Sequence, residues 1–131
     1  MESELKQVLS SLEGLKTHYT VHWLVLFGSR ARGDYKPWSD YDILVIADFD
    51  EEYLERIRKI YEVVDPRVEV HPYRLDEVLE MLERGVPSIV DALEHGVVFF
   101  EDQSIRALRE KFKALRSAGL LRRTKTSIII A

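Results

Sequence analysis

The sequence predicts a mixed α/β fold of the α+β kind, with one small mixed β-sheet flanked by helices. Three observations predict it. Short apolar runs rich in β-branched and aromatic residues stand at VHWLVLF (21–27), YDILVIA (41–47) and RVEVHPY (67–73), and each has the length of a strand. Around them lie stretches whose apolar residues recur at helical spacing. The order, helix, strand, turn, strand, helix, strand and then helices, sets all of these around a single sheet.

The opening helix is read from Leu5, Val8, Leu9, Leu12 and Leu15, which stripe one face from about Ser3 to Lys16 and stop near Gly14. The first strand, 21–27, runs into Gly28, where a tight turn is expected. Residues 29–39, SRARGDYKPWS, contain Gly33 and Pro37 and read as a helical turn followed by a loop. The second strand, 41–47, is apolar throughout, as a strand covered on both faces would be. Tyr53, Leu54, Ile57, Ile60, Tyr61 and Val64 mark a second helix, closed by Asp65-Pro66 because a residue before proline disfavours helical geometry. After the third strand, Leu75, Val78, Leu79 and Leu82 stripe a helix that ends at Gly85. A shorter helix from Pro87 to about His95 follows, with proline in its first turn. VVFFE (97–101) reads as a short strand, and Ile105, Leu108, Phe112 and Leu115 mark a last helix, with Asp102 as its cap and Gly119 beyond its end.

With 131 residues and 15.3 kDa, one domain over 1–131 is expected. It divides into a motif core at about 21–73, a helical part at about 75–119 and an apolar tail at 120–131. A chain that is 46% hydrophobic and 32% charged is not of a disordered class. The net charge of −4 offers no basic footprint, so nucleic acid is not expected as a partner. No cysteine is present, which excludes disulfides, thiolate zinc sites and cysteine nucleophiles. The first residues, MESELKQVLSSLEG, are acidic where a signal peptide needs positive charge, and no run approaches ~18 apolar residues. A cytoplasmic protein without a membrane span is therefore expected.

The chemistry gathers in Phe27-Gly28-Ser29, then, ten residues on, Asp40-Tyr41-Asp42, and later Val68-Glu69-Val70. Side chains alternate along a strand, so Asp40 and Asp42 share a face, with Cα atoms roughly 6.5 Å apart. Glu69, between two valines, faces opposite to them and completes an oxygen-rich site if its strand lies beside the second. Three acids together repel one another, which a divalent cation relieves. Magnesium prefers oxygen ligands and commonly links one or two carboxylates to substrate phosphates. The Gly28-Ser29 turn supplies the phosphate side: glycine permits close backbone approach, and N–H groups and the Ser29 hydroxyl donate. Arg30 and Arg32 add local positive charge, either clamping phosphate or pairing with a neighbouring acid. GSRARGD lacks the spacing of a Walker A loop.

GSRARG, SDYDILV and VEV together resemble the nucleotidyltransferase superfamily related to polymerase β, and especially its small prokaryotic MNT branch. The resemblance spans about Leu24 to Tyr73, and ALEHGVVFFED resembles the family's usual ending. It implies a nucleotidyltransferase fold and an enzyme that moves a nucleoside monophosphate, AMP from ATP or another NTP, to a hydroxyl. Asp40, Asp42 and Glu69 would serve as catalytic metal ligands for Mg2+, two ions being expected, and Gly28, Ser29, Arg30 and Arg32 would hold the nucleotide. Many relatives have Asp at the third acidic position, where this chain has Glu69. The branch often pairs with a helical HEPN protein in toxin-antitoxin systems, so the resemblance implies such a toxin as partner and acceptor. A non-catalytic antitoxin that neutralises its toxin by contact is the alternative, as is transfer to RNA or a small molecule.

Outside this set stand four histidines, three aromatic residues and a basic, partly apolar C-terminal end. His18, His22, His71 and His95 show no metal-ligand spacing, but His71 lies two residues from Glu69 and so shares its face. Trp23 and Tyr41 are assigned to the core, which leaves Trp38 as a loop aromatic able to stack on a base. Lys111, Lys113, Arg116, Arg122, Arg123 and Lys125 make the C-terminal end basic, either a solvated face or a partner surface. The apolar Ser127-Ile128-Ile129-Ile130-Ala131 is expected to pack on the sheet or in a homo-oligomer interface.

Overall fold

The computed structural model describes residues 2–123 and 128–130. Strands β1 (Val21–Phe27), β2 (Tyr41–Ala47), β3 (Val68–Tyr73) and β4 (Val97–Glu101) form one mixed sheet in the order β3-β2-β1-β4. β1 pairs antiparallel with β2 and β4, whereas β2 and β3 run parallel. A parallel pair needs a crossover, and helix α3 (Tyr53–Ile60) supplies it.

Alternation along the strands divides the core in two. Leu24, Leu26, Ile43, Val45, Val68 and Val70 lie in one layer, beneath Val8 and Leu12 of α1 (Glu2–Glu13) and Ile60 of α3. Trp23, Val25, Phe27, Leu44 and Ile46 lie in the other. They pack against α4 (Leu75–Glu83), α5 (Pro87–His95) and α6 (Arg106–Ser117) through Val78, Leu82, Ile89, Leu108 and Phe112. Burial on both faces explains why β1 and β2 read as unbroken apolar runs.

The second helix departs from its expected face. Leu54 is 79% exposed, while Arg56 is buried. The guanidinium of Arg56 is tied by Nη1 to Glu77 Oε1 at 2.7 Å and to the Pro72 carbonyl at 3.2 Å, and by Nε to the Glu51 carbonyl at 2.8 Å. A buried charge is tolerable when its donors are satisfied in this way. The helix also ends earlier than its apolar stripe, at Ile60, and Val63 and Val64 are held by turn hydrogen bonds to the Ile60 carbonyl.

At the C-terminus, β5 (Leu121–Arg123) and β6 (Ile128–Ile130) pair antiparallel, and Leu121 packs against the second core layer. Lys125, Ser127 and Ala131, part of the basic and apolar tail expected above, lie outside the described residues. Among the described residues no helix is long and apolar enough to cross a membrane.

Candidate active site

The antiparallel pairing of β1 and β2 sets the end of one strand beside the start of the other, so Phe27 is opposite Asp42. The parallel pairing of β2 and β3 then sets Asp42 opposite Glu69. Phe27, Asp42 and Glu69 thus form one row across three strands, on the sheet face covered further along by α4 to α6. His71, two residues beyond Glu69, joins them. One ligand atom from each of Asp42, Glu69 and His71 lies within 4.8 Å of the other two.

Electrostatics marks this trio as unresolved. Hydrogen bonding with Asp42, burial, and the negative charges of Asp42 and Asp40 push the Glu69 carboxyl above its ordinary value, against the opposing pull of His71. For Asp42, burial pushes upward, but interaction with His71 and Glu69 and the charge of Arg32 outweigh it and hold the group low. His71 Nε2 stands 3.8 Å from Asp42 Oδ1, beyond hydrogen-bond reach, and is buried without a partner. Its ring packs edge-on against Phe27, with centroids 5.0 Å apart.

The turn after β1 is built around Asp42. Gly28 has φ 73° and ψ −155°, a region open essentially to glycine alone. A Cβ there would stand 2.4 Å from Asp42 Oδ2. The carboxylate therefore lies against bare backbone. Ser29 opens the four-residue helix α2 (Ser29–Arg32). The Gly28 N–H donates to Asp91 Oδ2 at 3.2 Å, and Arg32 Nη1 donates to the same oxygen at 3.0 Å. Asp91, on α5, is buried, and its Oδ1 has no partner. It is a positioning residue that the sequence reading missed. Its signal was a carboxylate flanked by Val90 and Ala92 in an otherwise apolar helix.

The remaining expected residues divide. Asp40 is exposed and outside the converging trio, although its charge reaches Glu69. Arg32, beside Asp91, borders the turn. Arg30 is turned elsewhere. Its side chain is 5% exposed, its Nη2 donates to the Ser39 carbonyl at 2.9 Å, and its guanidinium is sandwiched between the rings of Tyr35 and Tyr41. That occupation braces the loop ahead of β2 and leaves Arg30 unavailable to a phosphate in this conformation. Trp23 and Tyr41 are core residues as expected, and Trp38 is 80% exposed on the braced loop.

The donor set fits a divalent cation. Two carboxylates are adjacent in register, one of them pressed against bare backbone, and an orphaned imidazole nitrogen faces them.

Comparison with known proteins gives the family and the fold. The family described as nucleotidyltransferase domain matches residues 4–99. Two Methanocaldococcus jannaschii proteins provisionally named protein adenylyltransferases are similar. One is 41% identical over 54 residues, which is 40% of this chain and 54% of that protein. The other is 38% identical over 76 residues, covering 52% of this chain and 74% of its own length. The chain thus spans about half the length of the first relative. Among solved structures, a protein of Sulfolobus solfataricus provisionally described as a nucleotidyltransferase superposes with a TM-score of 0.56 at 21% identity, over 78% of this chain and 86% of that one. A toxin-antitoxin structure with AMP-PNP superposes with a TM-score of 0.54 at 18% identity, over 84% and 87%. At such identities the likeness extends to the fold.

Proposed function

The chain belongs to the nucleotidyltransferase domain family, and from that premise we propose that it transfers AMP from ATP to a hydroxyl of a partner protein, the toxin of a toxin-antitoxin pair. The observation that carries the reading is the in-register pairing of Asp42 with Glu69 against the glycine turn. The names of the Methanocaldococcus relatives favour a protein as acceptor, and the similar toxin-antitoxin fold with AMP-PNP favours ATP and a toxin. A helical HEPN protein is the partner that the sequence resemblance implies.

Asp42 and Glu69, with Asp40 alongside, would hold Mg2+ or another divalent ion, which when bound neutralises charge on the phosphates and the leaving group. Gly28 and Ser29 admit the triphosphate close to the backbone, and Arg32 adds positive charge at the turn's edge. Asp91 keeps that turn in place through the Gly28 N–H and Arg32. The acceptor oxygen bonds to the α-phosphorus while the bond from that phosphorus to the bridging oxygen breaks. Pyrophosphate leaves, and the hydroxyl proton passes to a Glu69 carboxylate oxygen.

The test is incubation of the purified chain with ATP labelled at the α-phosphate, a divalent metal and the protein encoded beside it. Label is expected on that protein, and Asp42→Asn is expected to reduce transfer at least about a hundredfold. Undiminished transfer by the Asn variant, or none by the wild type, overturns the reading.

A further inference from the structure

We propose that His71 is a nitrogen ligand of the divalent ion held by Asp42 and Glu69, and that this site consequently favours a first-row transition metal over Mg2+. The inference rests on the metal-dependent reading above and specifies the ion.

Three features of the structure carry it. The ligand atoms of Asp42, Glu69 and His71 lie within 4.8 Å of one another. Octahedral coordination at the short bonds of a small dication separates neighbouring ligand atoms by about 3 Å and opposite ones by about 4 Å, so modest side-chain closure brings all three into one shell. Second, His71 Nε2 is buried with no hydrogen-bond partner, although a buried polar atom almost always has one. Its nearest charged neighbour, Asp42 Oδ1 at 3.8 Å, is too far for a hydrogen bond yet at the right remove for a shared cation. Third, the imidazole plane is held by the edge-on contact with Phe27, itself the β1 neighbour of Asp42. A ligand fixed in this way loses little freedom on binding.

The consequence follows from ligand chemistry. Mg2+ takes oxygen donors almost exclusively, whereas imidazole suits the first-row transition ions. A site with two carboxylates and one histidine therefore discriminates against Mg2+. Neither strand alone holds this arrangement. Glu69 and His71 share a face because they are two residues apart on β3, and Asp42 reaches both only through the parallel register.

Mn2+, the weakest binder of the transition series and visible by electron paramagnetic resonance, is the conservative probe. The full chain is loaded with Mn2+ alone, and electron spin-echo modulation is recorded. Modulation from a directly bound nitrogen is expected in the wild type and absent in His71→Ala. In Mn2+ titrations by calorimetry, His71→Ala is expected to weaken binding about tenfold or more, while Mg2+ affinity stays within a factor of about two. Circular dichroism of the variant checks that it folds, and the wild-type spectrum stands without any variant. Mn2+ bound through Asp42 and Glu69 with no nitrogen modulation overturns the role of His71 and leaves the proposed transferase intact. Failure of AMP transfer with nitrogen modulation present overturns the transferase reading instead.

Discussion

Two clusters of one histidine and two carboxylates stand at opposite ends of the central strands, and they are opposites in electrostatics. At the start of β1, His22 Nδ1 is 2.6 Å from Asp102 Oδ2, and its Nε2 is 2.9 Å from Asp48 Oδ1. Burial pulls His22 down, but the hydrogen bonds to Asp102 and Asp48 prevail and hold it above the ordinary histidine value. At the other end, His71 lies near Asp42 and Glu69 without a hydrogen bond, and Glu69 is pushed up by its neighbours. The same functional groups, an imidazole and two carboxylates, thus form a satisfied knot in one place and an unsatisfied cradle in the other. A cluster that closes upon itself contributes stability, whereas one left open has capacity for something further.

Substitutions that break the contrast have effects of graded size. The largest is expected for Gly28→Ala. A side chain there enters a glycine-only region at a cost of about 1–3 kcal/mol and drives Asp42 from its place. AMP transfer should fall about a hundredfold, because a misplacement near 1 Å suffices for such a loss. Labelled-ATP assays and thermal unfolding measure the two effects separately, and near-normal transfer would remove the cradle from the site.

A smaller and purely structural effect is expected for His22→Ala. Losing two charge-assisted hydrogen bonds should cost about 2 kcal/mol near pH 6, with Mn2+ affinity unchanged. Chemical denaturation and metal titration of the same protein test this. A change in metal affinity would erase the distinction between the two clusters.

The smallest effect is the pH dependence of that difference. Because His22 is raised when folded, its contribution is fully present below the unfolded value of about 6.5 and fades as pH rises through the folded value. The stability gap between wild type and His22→Ala should therefore be wider at pH 6 than at pH 9. Denaturation midpoints across that range would show a constant gap if the histidine were not charged in its knot.

Much of the fold was legible because its signals are local. The runs at 21–27 and 41–47 became β1 and β2 with those bounds, and the helix stripes identified α4, α5 and α6. The stripe through Leu54 misled because it could not register that Arg56 would find Glu77 and two carbonyls on other segments. Of the two roles open to Arg30, pairing with an acid is the one the fold displays, with Glu4 Oε1 3.7 Å from its Nη2. Its sequence neighbours suggest a phosphate, yet Tyr35, Tyr41 and Ser39 occupy it first.

By itself the sequence determined the strands, the common face of Glu69 and His71, and the glycine before Ser29, since alternation and backbone preference act over a few residues. Only the tertiary structure decided that Asp42 stands beside Glu69, that Asp91 pins the turn, and that His22 is satisfied while His71 is not. Those outcomes depend on strand register and helix docking between segments far apart in the chain. Distance through space, which sets every hydrogen bond and charge interaction at the site, is established only when those segments pack.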